Sequence, residues 1–386
     1  MTKTGRRAVL FRVGGLGDLL VALPAVSLVR RALSGHHLTL AGRPEYGALF
    51  EAAGIVDEVV AFDDPVMAAL FAHDERPIAG GNKVSGSEAN GENSAPPFDF
   101  GRRPDRKPRV PSSRAYDLAL GWLNQRGGWP DEREWARRGV GRAFFVPHDP
   151  TSGVPMSRYF FDRTLEYLRS SASAPFIARP AGPGEEADET KIEKMERSTK
   201  ERLIAAPTAG QDSLFDDCAR LTVGRDLIRK ALDSLGLRPL GAMGRRLVVH
   251  PGSGGRAKRW PLPNFLEVIR HASARGFEGV LVTGEAEADL EREIARMDLP
   301  AGWTRAARLA AETLAGLLAG STHYIGNDSG PTHLAAACGV SAIALFRDAN
   351  LPAWRPFGRT RVLSAPDVET IPLEAVAAGM GGFLGA

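Results

Sequence analysis

The strongest constraint on this chain is a pattern that appears near both ends: an apolar run, a small polar turn, then a helical stretch. "RAVLFRV" leads through "GGLGD" into "LLVALPAVSLVRRAL", and "THYI" leads through "GNDSGP" into "THLAAACGV". Each reads as a β-strand, a tight turn and a helix. Further strands and helices alternate around both. The first half continues with "HLTLAG", "EYGALFEAAG" and "VDEVVAFD". The second contains "RRLVVHPGSGG", "LPNFLEVIRHASARG", "EGVLVTGEA", "ADLEREIARM", "AAETLAGLLAGS" and "VSAIALFRD". Such alternation predicts parallel sheets with crossover helices. The expectation is an α/β protein of two doubly wound, Rossmann-like domains, residues 1–222 and 223–386, facing each other across a cleft. Ligands of such sheets bind beyond the C-terminal strand ends.

Two stretches break the alternation. Residues 72–112 are rich in Gly, Pro, Ser and Asn, and residues 172–220 are mostly polar and charged. Both read as disordered insertions, because they lack the apolar content to offset ordering entropy. Between them "AYDLALGW" reads as a strand (Ala115–Trp122) and "SRYFFDRTLEYLRS" as an amphipathic helix (Ser157–Ser170).

Composition narrows the class. A chain of 386 residues with 43% hydrophobic and 25% charged residues suits packed globular domains. The net charge of +3 gives no sign of a nucleic-acid binder. Cys218 and Cys338 lack metal-site spacing and read as reduced thiols. Arg12, Asp18 and three glycines interrupt the apolar N-terminus, which argues against a secretory signal. No run is long enough to span a bilayer. The expected location is the cytoplasm. Arg6, Arg7, Arg30 and Arg31 suggest peripheral contact with the inner membrane.

The turns carry the chemistry. Gly14, Gly15 and Gly17 precede a helix, and Asp18 stands at its start. Asp18 has two readings: a cap favoured by the helix dipole, or a base that takes a proton from a hydroxyl. In "HPGSGGRAKRWP", Gly252, Ser253, Gly254 and Gly255 form a loop whose amides can wrap an anion, followed by Arg256, Lys258 and Arg259. Its readings are a diphosphate site or a solvated basic loop. It lacks the ending of a P-loop. In "VTGEAE", Glu285 or Glu287 could hold a ribose diol or begin an acidic helix. In "GNDSGPTH", Ser329, Gly330 and Thr332 offer N–H and O–H donors at a helix N-terminus, where phosphate is favoured. Asp328 could cap that helix or contact a sugar hydroxyl. His333 reads equally as a donor or as a core histidine. His36, His37, His73 and His148 read as surface or loop residues, and no metal site is expected.

Together "RVGGLGDLLVALP", "HPGSGGRAKRWP", "VTGEAE" and "YIGNDSGPTHLAAACG", in this order, resemble glycosyltransferase family 9, the ADP-heptose:lipopolysaccharide heptosyltransferases. The resemblance implies a GT-B fold and inverting, metal-independent sugar transfer, without a cofactor, from a nucleotide-sugar donor to a lipid-anchored glycan acceptor. It implies that Asp18 is the general base and that Lys258 binds donor phosphate. Asp328, Ser329, Gly330 and His333 would line the donor loop, and Glu285 or Glu287 would bind the ribose. The chain departs from the family pattern at Gly14 and Gly15, where serine or alanine is common. It departs again at "FRDANLP", where a Gly-Pro-Thr-Asp-Pro-like run is common. Two other classes compete: a non-catalytic nucleotide-sugar-binding scaffold, and an NAD-dependent oxidoreductase, whose glycine spacing does not fit.

Overall fold

The computed structural model describes residues 5–71, 116–123, 132–148, 153–170 and 211–384. The N-terminal elements are β1 (Arg7–Phe11), α1 (Leu16–Ala32), β2 (His37–Gly42), α2 (Pro44–Ala52), β3 (Glu58–Ala61) and α3 (Pro65–Phe71). They continue with β4 (Tyr116–Leu123), α4 (Glu132–Arg137), β5 (Val140–Pro147) and α5 (Met156–Ser170). The chain resumes with α6 (Gln211–Cys218), α7 (Arg225–Ser234), β6 (Arg246–His250), α8 (Leu262–Ser273), β7 (Glu278–Thr283) and α9 (Ala288–Ala295). It ends with β8 (Trp303–Ala307), α10 (Ala311–Ala319), β9 (His323–Asn327), α11 (Gly330–Ala337), β10 (Ser341–Arg347), α12 (Leu351–Trp354), β11 (Thr360–Ala365) and α13 (Leu373–Leu384).

The strands form two sheets, ordered β3-β2-β1-β4-β5 and β11-β10-β9-β6-β7-β8. Every pairing is parallel. The expected pair of doubly wound α/β units is therefore present. Strand order reverses between β1 and β4 in the first sheet and between β6 and β9 in the second. At such points neighbouring loops diverge and leave a crevice. In the second sheet His250 pairs with Gly326, so the loops after β6 and β9 leave the sheet side by side.

Helix α1 joins the halves. Its residues Leu19 to Val26 are all buried. A helix apolar on every side must be covered on every side. It packs on α5 and α6 of its own side and on α11 of the other, while α2 meets α10. One contiguous hydrophobic cluster consequently includes Leu20 and Val26 with Leu314, Leu318 and Leu334.

Several expectations change. Within the expected insertion at 172–220, residues 211–218 form α6, which buries Phe215 and Cys218. Two apolar residues one helical turn apart fix a short amphipathic helix despite five polar residues in it. Residues 72–112 lie outside the described residues. His36 lies in the loop before β2, as one of its two readings had it, but is buried there. His148 stacks on Trp354 of the other half, with ring centroids 5.4 Å apart. Three of the four arginines expected near a membrane also have partners within the protein. Arg30 donates to the carbonyls of Ile55 and His36 and to Asp57. Arg31 pairs with Asp217. Arg7 pairs with Glu58 and lies over the Tyr116 ring.

Candidate active site

Each helix N-terminus at the junction follows from its turn. Gly14 has φ +136°, a conformation that side chains rarely adopt, and a Cβ there would meet Asp18 Oδ2 at 2.5 Å. Gly15 is the N-cap of α1, and its amide donates to Asp18 Oδ2 at 2.9 Å. The capping geometry expected of Asp18 is thus present. Its other oxygen, Oδ1, lies 3.1 Å from Arg12 Nη2.

Arg12 is only 6% exposed. Its Nε donates to the Asp18 carbonyl at 2.8 Å and its Nη1 to the Trp122 carbonyl at 2.6 Å. The guanidinium lies over the Phe160 ring. Burial pulls its pKa below the ordinary value, and the negative charge of Asp18 opposes that pull. The residue that interrupted the N-terminal apolar run is therefore the clamp on Asp18.

Across the junction, α11 presents its N-terminus to that of α1. A Cβ at Gly330 would stand 3.0 Å from Leu16 Cβ and 3.1 Å from the Gly17 amide nitrogen. A Cβ at Gly17 would stand 3.5 Å from Gly330 Cα. The two helix starts approach closely because Gly330 lacks a side chain, whereas a Cβ at Gly17 would make only ordinary contact. Partial positive charge from both helices is focused at one place.

Asp328 precedes α11 and is held from three sides. Its amide donates to the Leu345 carbonyl, and its carbonyl accepts from Ser253 Oγ at 2.8 Å. Its Oδ2 accepts from Lys258 Nζ at 2.9 Å and from Asn350 Nδ2 at 2.8 Å. Asp328 is 7% exposed, whereas the Lys258 side chain is 38% exposed. The ammonium group thus reaches the junction from solvent. Of the other cations in that loop, Arg256 and Arg259 both pair with Asp289. Lys258 alone of the three is paired to Asp328.

The loop carrying Lys258 is stapled by Asn327, which is fully buried. Asn327 Nδ2 donates to the carbonyls of Pro251 and Gly252, and its Oδ1 accepts the Trp260 amide. Gly254 has open space around it. Gly252 lies against Glu287, whose Cδ would be 2.1 Å from a Cβ at that glycine.

The two glutamates separate clearly. Glu287 is buried and accepts the Gly284 amide at 2.7 Å through Oε2. Oε2 also lies 3.6 Å from His250 Nε2. Burial pushes the Glu287 pKa up, but hydrogen bonding and charge from His250, with the Gly284 amide and Arg259, leave it below the usual value. Glu285 is exposed. His250 Nδ1 is 3.4 Å from Ser329 Oγ, so a line of polar groups runs from Glu287 through His250 to the donor-loop serine.

The Thr332 side chain is not available to a ligand. It is fully buried, its hydroxyl donating to the Asn327 carbonyl and meeting Tyr324 Oη at 3.0 Å. The expected phosphate contact from its hydroxyl is corrected to an internal lock, a consequence of its position on the inner face of α11. Its amide turns back to the Ser329 carbonyl. His333 is 3% exposed. Burial lowers its pKa, while the carboxylates of Asp328 and Asp18 push the other way and Lys258 adds to the lowering. It stands between the two halves, as its closeness to Gly17 indicates. Among the described residues, no group of three His, Cys, Asp or Glu is placed to hold a metal.

Fold and site define a class: two facing Rossmann-like units of the GT-B type, with the polar residues gathered where the halves meet. Residues 219–371 match the sequence model of "Glycosyltransferase family 9 (heptosyltransferase)". This segment of the chain is therefore similar to glycosyltransferase family 9. It is similar to lipopolysaccharide heptosyltransferase 3 of Escherichia coli, 32% identical over 119 residues, covering 30% of this chain and 35% of that protein. The match spans about a third of that relative's length.

Two solved structures resemble the whole fold. A glycosyltransferase family 9 protein from Veillonella parvula superposes with a TM-score of 0.60 at 14% identity, covering 99% of this chain and 98% of that one. E. coli ADP-heptose lps heptosyltransferase II gives 0.61 at 13% identity, covering 98% of each chain. At those identities the likeness establishes the fold.

Proposed function

We propose that the protein is an inverting, metal-independent glycosyltransferase that moves a heptose from ADP-heptose to a lipopolysaccharide core acceptor. The observation that carries this reading is the meeting of Asp18, on one half, with Asp328, Lys258 and the α11 N-terminus on the other, at the Gly17–Gly330 contact. The family-model match over residues 219–371 and the likeness to E. coli lipopolysaccharide heptosyltransferase 3 support the choice of sugar and donor.

In this reading the donor diphosphate lies against the α11 N-terminus and the Lys258 ammonium. Charge develops on the diphosphate as the sugar bond breaks, and these fixed positive groups stabilise it. Ser329 and Gly330 border the phosphates. Asp328 faces the sugar, and the exposed Glu285 is the better-placed ribose ligand because Glu287 already serves Gly284 and His250. Asp18 takes the proton of the acceptor hydroxyl from the opposite face of the sugar. Attack opposite the leaving group inverts the anomeric centre. The work is done on the cytoplasmic face of the inner membrane, where a lipid-anchored acceptor is presented. Among the described residues no helix is long and apolar enough to cross a membrane.

The test is transfer from ADP-heptose to a purified core glycolipid, with the product's anomeric configuration read by NMR. Inverted product from wild type, formed equally with and without chelator, agrees with the proposal. Retained configuration, or absence of transfer, contradicts it. A second reading is a family 9 enzyme with another nucleotide sugar or glycan. It is favoured by the unusual "FRDANLP" segment, whose Asn350 touches Asp328. Transfer from a different donor in a panel selects this reading.

A further inference from the structure

Asp328 Oδ2 has two donors of different kinds. Lys258 Nζ is a mobile cation on a part-exposed side chain, at 2.9 Å. Asn350 Nδ2 is a neutral donor at 2.8 Å, and Asn350 is fixed as the residue that opens α12. The Asn350 amide donates to Arg347, and its carbonyl accepts from Trp354. Trp354 in turn stacks on His148 of the other half. Backbone hydrogen bonds to Arg347 before it and Trp354 after it therefore anchor Asn350 at both ends.

The Lys258 ammonium cannot serve a buried carboxylate and an arriving diphosphate at full strength together. If it left Asp328 without a second donor, a largely buried carboxylate oxygen would lose its compensation, a costly state. We propose that Asn350 is a positioning residue that keeps the Asp328 carboxylate satisfied and in place while Lys258 transfers to the diphosphate of a bound nucleotide. This rests on the donor-site reading above. It assigns the exchange of partners at Oδ2 to a residue for which the sequence offered no role.

The test is calorimetric titration with ADP of the full-length protein and its variants, with thermal unfolding measured in parallel. Asn350→Ala forces Lys258 to remain with Asp328, so ADP binding weakens about tenfold or more. Asn350→Asp adds a second carboxylate that competes for Lys258 and weakens it further. In an Asp328→Ala background the demand on Asn350 is gone, and Asn350→Ala then costs little. That rescue is the coupling expected of a shared partner, and a merely structural role would not produce it. If Asn350→Ala weakens ADP equally in both backgrounds, or not at all beside Asp328, the inference is overturned. If Lys258→Ala leaves ADP binding unchanged, the donor-site reading falls and takes the inference with it. If Asn350→Ala lowers the unfolding temperature, Asn350→Ser repeats the cycle with a smaller donor.

Discussion

The Arg12 guanidinium and the Asp18 carboxylate lie 3.1 Å apart, the first buried beneath Phe160 and the second open to the junction of the halves. Each orients the other. Asp18 has one oxygen on Arg12 and one on the Gly15 amide, so its direction is fixed by groups at the opposite ends of one turn. Asp18→Asn keeps the shape but removes the base, and transfer should fall about a hundredfold or more, the usual scale for a positioned base. Steady-state rates on saturating donor and acceptor check this.

Removing Arg12 acts through Asp18 and through the core. Arg12→Met should lower stability by about 3 kcal/mol or less, because Asp18 can turn to solvent while the Trp122 carbonyl loses its donor. Arg12→Lys keeps the charge but cannot reach three acceptors at once. Its rate should drop while its stability lies between wild type and Arg12→Met. Urea unfolding alongside kinetics separates the two effects.

Gly330 should not tolerate a side chain. Its Cβ would meet Leu16 and the Gly17 amide at 3.0–3.1 Å, so Gly330→Ala wedges the halves apart. Overpacking of this kind costs about 1–3 kcal/mol. Transfer should fall much more than ADP binding, because the nucleotide contacts proposed here belong to one half and the base to the other. Comparing the two in one preparation gives the ratio.

His333 makes stability depend on pH. Its folded pKa lies below the ordinary 6.5, chiefly from burial. The unfolded state therefore binds more protons over the window between the two values, and stability falls as pH drops below about 6.5. The loss ceases to grow below the folded pKa. Glu287, also lowered, acts in the same direction at more acidic pH: its contribution is complete above its unfolded value of 4.5 and is lost as pH falls through its folded one. Urea unfolding at successive pH values should show His333→Asn flattening the upper part of this profile and leaving the lower part.

The thiols should be inert in the native state. Burial raises Cys218 to about 11 and Cys338 to about 12, so little thiolate exists at neutral pH. Mass spectrometry after timed iodoacetamide treatment should find both unmodified until the protein unfolds.

Much of the fold was legible because its central strands are buried on both faces and read as unbroken apolar runs. "RLVVH" and "HYIGN" are examples, each followed by a small-residue turn. The edge strand β3 was legible in "VDEVVAFD", but the edges β8 and β11 of the second sheet were not. "TRVLSA" and "WTRAA" alternate with exposed residues and carry arginine, so no apolar run announces them. At the site, Asp18, Lys258 and Asp328 stood out because they follow strand ends. Arg12, Asn350 and His250 did not, because their partners are brought to them by the fold. Arg12 finds Trp122 across 110 residues and Asn350 finds Asp328 across 22. Thr332 was misread for the converse reason: its position in the motif suits a ligand, but the face of the helix it occupies is turned to Tyr324.

The most direct test of the central claim is a calorimetric comparison of ADP, UDP, GDP and CDP binding to wild type and Lys258→Ala. The account predicts that ADP binds, in preference to the other three, and that the substitution weakens it by about tenfold or more. Absence of nucleotide binding by wild type, or equal ADP affinity in both proteins, would contradict it.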